Sequence, residues 1–217
     1  MKKFKISLAP LAVALCALLS LSPVKVHAEA IGMIVTMELT GTGSLSIGQD
    51  AAYPYYLSMD GSGNVPMMCV SYDNDIYQGE SWVAQVQAIT GTLQEEAAWL
   101  FNDDNVSIAA GNFTQANDDQ WAAWEIFSTN AQNATPPDPG AAVQLAAAEN
   151  AVAMNTEPAI WYQQFIIVVP QYGWPEGDDV PQNFLGYDTP EPSSFILFGT
   201  GLLGLAAFWY RRRSVTT

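Results

Sequence analysis

The 217-residue chain carries 22 acidic and seven basic residues, a formal net charge of −15, and its 49% hydrophobic content suits one ordinary domain core. All seven basic residues lie at the two ends, Lys2, Lys3, Lys5 and Lys25 at the front and Arg211, Arg212 and Arg213 at the back, and the single histidine is His27. Residues 29–188 therefore exclude nucleic-acid binding by phosphate neutralisation, His-based triads and imidazole metal sites, and intramolecular lysine crosslinks.

The front end has a basic start (MKKFK), an apolar run from Ile6 to Leu21, and Val26-His27-Ala28 before Glu29. Small residues at the first and third of those positions suit signal peptidase, so residues 1–28 read as a signal peptide and the mature chain begins at Glu29. A lipoprotein reading through Cys16 is weaker, because Leu15 before it is bulky.

A β-rich run at 31–39 opens the exported part, followed by a Gly/Ser-rich turn region with alternation at 44–47. The turn cluster 60–64 precedes another strand at 65–72, which contains Cys69. Because Cys16 leaves with the signal peptide, Cys69 is the mature protein's single cysteine. It has no partner for an intrachain disulfide, which leaves a dimer bridge, a free thiol, another covalent use, or plain burial as a small hydrophobe.

The period then changes. Thr92 and Glu95 are spaced as a capping box, and Leu93, Ala97, Leu100 and Phe101 gather on one helical face. Asn117 is expected to open a second helix, with Asp118 and Asp119 in its first turn, pointing away from an apolar face of Ala123, Trp124 and Phe127. Gln120 falls on that face, where its amide is costly unless satisfied; a capping role toward Asn117 is one answer. Asp138 and Pro139 open a third, alanine-rich helix to about Met154. A strand at 160–169 follows.

The fold class is α+β: a β-rich N-terminal part, central helices and a return to a C-terminal strand, with an ectodomain over 29–170 and a Pro/Gly/Asp-rich linker over 171–189. The pairs and triplets Asp73-Asn74-Asp75, Asp103-Asp104-Asn105, Asp118-Asp119 and Asp178-Asp179 lack EF-hand spacing and read as solvated acidic turns. No metal ligand set or cofactor is expected. No nucleophile and base of a hydrolase type is evident, so an enzyme with turnover is not expected.

Residues 190–217 have three parts: Pro190, Glu191 and Pro192; an apolar run from Phe195 to Tyr210; and Arg211, Arg212 and Arg213. An apolar helix of about 18 residues spans about 27 Å, enough for a bilayer core, with the arginines held on the cytoplasmic side. This tail resembles the PEP-CTERM sorting signal of Gram-negative bacteria. The resemblance implies recognition by an exosortase in the inner membrane, cleavage near Pro190 to Pro192, and release toward the cell surface or an extracellular matrix.

A second resemblance concerns the ectodomain. Met68-Cys69-Val70 followed by Asp73, then Ala98-Trp99-Leu100, then Gln120-Trp121-Ala122-Ala123-Trp124, resemble the thioester domains of bacterial surface adhesins over residues 65–128. Met68, Asp119 and Trp121 depart from the residues usual at their positions. The resemblance implies an internal thioester between Cys69 and Gln120, able to acylate an amine or hydroxyl on a surface or matrix molecule, hence adhesion or covalent anchoring. The alternative is a noncovalent structural or interaction component of the extracellular polymer layer.

Overall fold

The computed structural model describes residues 31–47, 50–134, 138–171 and 180–188, which belong to one unit over 28–189. The expected signal peptide over 1–28, the expected transmembrane helix of the 190–217 tail and the Asp178-Asp179 pair lie outside the described residues. Among the described residues, no helix is long and apolar enough to cross a membrane.

Alternation builds the first wall of the fold. In β1 (Ile34–Thr42), Val35, Met37 and Leu39 are buried while Ile34, Thr36 and Glu38 face outward, the period of two that a one-sided strand requires. β6 (Ser81–Ala88) repeats the pattern with Trp82, Ala84 and Val86, and its register sets Val35 opposite Ala84 and Met37 opposite Trp82. After the short pair β2 (Ser46–Ile47) and β3 (Asp50–Ala51), the strands β4 (Tyr55–Met59) and β5 (Ser62–Cys69) form an antiparallel hairpin. With β7 (Phe165–Pro170) and β8 (Phe184–Tyr187) they close an antiparallel barrel in the order β1-β4-β5-β8-β7-β6.

The helices are inserted between β6 and β7. They are α1 (Thr92–Ala110), α2 (Phe113–Phe127), the short α3 (Thr129–Gln132), α4 (Pro139–Ala153) and the single turn α5 (Ala159–Tyr162). α1, α2 and α4 pack on one another, and Ala97, Ala116, Ala122, Ala123, Ala141 and Ala148 are their fully or almost fully buried small residues. The ends of β5 and β7 are buried on both faces, Met67 to Val70 and Phe165 to Val168, because one face fills the barrel and the other meets the helical layer. Phe101 of α1 is in ring contact with Phe165 and Tyr187 there.

Four expectations need correction. The stretch expected to be a linker contributes β8, which closes the barrel by pairing Met68 with Leu185 and Val168 with Phe184. The second helix starts at Phe113, capped by the Asn112 side chain, which accepts from the Gln115 N–H at 3.4 Å; Asn117 is interior. α1 is capped at Gly91 without a Thr92 side-chain bond, and Gln94 Oε1 instead accepts the Thr90 N–H at 2.7 Å, while Leu93 is exposed. The strand expected from residue 160 begins at Phe165, after a helical turn. β4 and β6 were not anticipated. α4 begins as expected, with Asp138 Oδ1 accepting the Gly140 N–H at 2.9 Å.

Candidate functional site

Cys69 is the last residue of β5 and Gln120 lies near the middle of α2, 51 positions later in the sequence. Neither has any exposed surface. The barrel strand and the helix bring the two together: Gln120 Nε2 donates to the Cys69 carbonyl oxygen at 2.7 Å, and Gln120 Oε1 is buried with no hydrogen-bond partner. The amide is thus held by its nitrogen alone, an arrangement that leaves the carbonyl oxygen costly in the interior.

Burial pushes the Cys69 thiol up to about 12, and the Ser71 backbone and the Trp124 indole only partly offset that desolvation. The Sγ–H donates to the Ser71 carbonyl at 3.4 Å. Trp124 Nε1 lies beside the thiol but makes no hydrogen bond of regular geometry. Gln120 is well inside α2, so the positive end of the helix does not act on the thiol, and Gln120 is not a cap. Tyr72, Trp121 and Trp124 close over this region with ring centroids 5.4 to 5.6 Å apart, excluding water from the amide.

Beyond that layer is a cavity of about 190 Å³, lined by Tyr55, Ser71, Trp124, Gln182 and the carboxylates of Asp50 and Asp75 among others. Its loop is tied down at Asp73, which accepts from Asn130 Nδ2 at 2.6 Å; hydrogen bonds from Ser128 and Asn130 hold its carboxyl below the usual range.

Asp119, the neighbour of Gln120, does not point into solvent. It is fully buried, as is Asp104 of α1, and all four of their carboxylate oxygens lack a hydrogen-bond partner. Burial, then Asp119 and Asp103, push Asp104 up to about 9; burial, then Asp103 and Asp118, push Asp119 up to about 8. Asp119 begins an unbroken buried run to Trp124, which no single-faced helix would show and which the expected apolar face of Ala123, Trp124 and Phe127 missed. No group of three or more His, Cys, Asp or Glu among the described residues is arranged to hold a metal ion.

Pro190, Glu191, Pro192, Arg211, Arg212 and Arg213 lie outside the described residues, yet their sequence is decisive. Residues 188–213 match the PEP-CTERM protein-sorting motif. The motif supports an exported protein that an exosortase sorts at the membrane through its C-terminus. No curated protein and no solved structure matches the chain.

Proposed function

We propose that the exported domain is a covalent anchor, charged by an internal thioester between Cys69 and Gln120 and released to the cell surface or extracellular matrix after exosortase cleavage near Pro190 to Pro192. Signal peptidase removes residues 1–28, the apolar tail holds the chain in the inner membrane through Arg211, Arg212 and Arg213 until it is cut, and residues 29–170 carry the chemistry.

The buried hydrogen bond from the Gln120 amide nitrogen to the Cys69 backbone carbonyl, which brings the amide to the cysteine residue, carries this reading. The sulfur adds to the Gln120 side-chain carbonyl carbon, the C–N bond breaks, and ammonia leaves with the thiol proton. A strand and a helix hold the two residues against each other in a site with no exposed surface, where proximity favours acyl exchange and water cannot compete. A nucleophile on a partner then takes the acyl group, and Cys69 is restored as a thiol. The resemblance to thioester domains, which rests on the residues around Cys69, Trp99 and Gln120, points the same way.

The raised thiol favours a second reading, a noncovalent matrix component in which Cys69 is an unreacted core residue. Intact mass separates the two. The thioester reading expects the exported protein to be lighter than its sequence by one ammonia and to gain one methylamine on treatment, and expects Cys69→Ala to do neither. An unmodified mass with no methylamine uptake would leave the noncovalent reading.

A further inference from the structure

Two polar atoms next to Cys69 are buried without a partner, and they are complementary. Gln120 Oε1 is an acceptor that lacks a donor, and Trp124 Nε1 is a donor that lacks an acceptor in regular geometry. Both belong to α2 and are four residues apart, which sets their side chains as neighbours on one face of the helix. Both also reach Cys69: the Gln120 amide nitrogen donates to its carbonyl at 2.7 Å, and the Trp124 indole nitrogen lies beside its sulfur. Tyr72 and Trp121 pack against the Trp124 ring with centroids 5.4 and 5.6 Å away, and only 2% of Trp124 is exposed. Two nearby donors are already engaged elsewhere. The Tyr55 hydroxyl donates to the Ala51 carbonyl, and the Trp121 indole N–H donates to Glu125 Oε1 at 3.0 Å.

Resting on the thioester reading above, we propose that Trp124 is a catalytic residue of the acyl exchange, its indole N–H giving Gln120 Oε1 the hydrogen bond it lacks once that oxygen becomes an oxyanion.

The chemistry requires such a donor. A neutral amide oxygen can sit unpaired in the interior, but an oxyanion in a site without water is far costlier, so a donor already in place where the charge develops lowers the barrier. As Sγ bonds to the Gln120 side-chain carbonyl carbon, the carbonyl π pair moves to Oε1 and the thiol proton passes to Nε2. The carbonyl then re-forms, the C–N bond breaks and ammonia leaves. The indole gives up no proton; its N–H turns from the sulfur, whose electron pair is now shared with carbon, to the oxygen one helical turn away. The same oxyanion forms when an outside amine attacks the finished thioester, so the donor acts in both steps.

The test uses the exported protein purified in denaturant, before any acyl exchange, and diluted into neutral buffer, with loss of ammonia and later uptake of methylamine followed by intact mass. Trp124→Phe, which keeps an aromatic ring and removes the N–H, is expected to slow both steps about 100-fold, the effect of deleting one oxyanion donor, while the final masses match the wild type. Trp121→Phe is the packing control: its ring touches the same neighbours but its N–H is bonded to Glu125, and both rates should stay within about twofold of the wild type. Should circular dichroism show Trp124→Phe to be unfolded, replacing Trp124 by benzothienylalanine keeps the bicyclic ring with sulfur in place of the N–H, and the same slowing is expected. Wild-type rates in the folded variant lacking the N–H, or equal slowing in Trp121→Phe, overturn the role of the indole and leave the thioester standing. If the wild type itself neither loses ammonia nor takes up methylamine, the thioester reading fails and the role of Trp124 falls with it.

Discussion

The barrel and the helical layer bury different kinds of side chain. Among the buried polar residues, the strands contribute Ser58, whereas the helices contribute Glu96, Asp104, Ser107, Asp119 and Gln120. The barrel interior is Met37, Leu57, Met67, Trp82, Val86, Phe184 and Leu185, apolar side chains brought into register by continuous ladders. The helical layer holds unpaired carboxylates and an unpaired amide oxygen, where the barrel interior leaves the Trp82 indole nitrogen unpaired. The helices carry the buried carboxyl and amide groups, and the barrel adds Cys69 at the end of β5. A scaffold that bears the energetic load lets a neighbouring layer keep costly polar groups in fixed positions.

The largest effect should come from the barrel. Phe184 has no exposed surface, and its ring meets Tyr55 and Trp82 at 5.5 and 6.0 Å. Phe184→Ala is expected to cost about 4 kcal/mol, the range for deleting a buried aromatic ring. Urea denaturation measures it. A loss under about 1 kcal/mol would mean that β8 is not part of the barrel wall, and the contrast between the two layers would fail.

The buried acids come next. Asp104 and Asp119 have native values raised to about 9 and about 8, against an ordinary carboxylate value of 3.8 in the unfolded chain. The native state therefore keeps protons that the unfolded chain has released, and stability is greatest below about pH 4 and falls as pH rises toward 8 and 9. The melting temperature should drop across that window, and Asp104→Asn with Asp119→Asn should flatten the profile. At pH 9 the double variant should be more stable than the wild type by roughly 3 kcal/mol, since removing buried charge relieves desolvation. A wild-type profile that is flat from pH 5 to pH 9 would show that the two carboxyls are solvated or neutralised by a bound cation. Adding calcium at pH 8 distinguishes these, because only the cation raises the melting temperature.

How much of this was legible in the sequence depends on how local each feature is. Asp138 followed by Pro139 marked the start of α4, because the cap and the proline act within one turn. The β-rich composition of 31–39 marked β1, because strand propensity is likewise local, although the strand runs over Ile34–Thr42. β8 was not legible: it is four residues long, lies among prolines and glycines, and is a strand because β5 and β7 lie on either side of it. Gln120 was singled out as an amide on an apolar face, and it does lie against Cys69. Asp119 was misread because a wheel with one apolar face cannot describe α2, which packs on β5, where Gln120 reaches Cys69, and on both α1 and α4.

A smaller effect is expected where two helices touch. A Cβ on Gly140 would fall 2.2 to 2.5 Å from the Asp118 carboxyl atoms, so Gly140→Ala displaces that side chain. Because Asp118 can rotate away, the cost should be about 1.5 kcal/mol. It should shrink in an Asp118→Ala background, where the obstruction is gone. An unchanged cost there would place the strain in the α4 backbone instead of in the contact between α2 and α4.

The smallest effect tests whether the helical layer depends on its caps as the barrel depends on its ladders. Asp138 Oδ1 accepts from the Gly140 N–H at 2.9 Å and from the Ala141 N–H at 3.4 Å, satisfying two of the four donors that the first turn of α4 leaves open. Asp138→Ala removes both bonds and a negative charge at the positive end of the helix, for about 1 kcal/mol. The same charge raises the Asp118 carboxyl, after burial, so its removal also eases a repulsion and offsets part of the loss. Asp138→Asn keeps an acceptor oxygen while dropping the charge, and should therefore match or exceed the wild type at pH 8. If Asn is as damaging as Ala, the charge acting on the helix dipole outweighs both the cap bonds and the repulsion from Asp118.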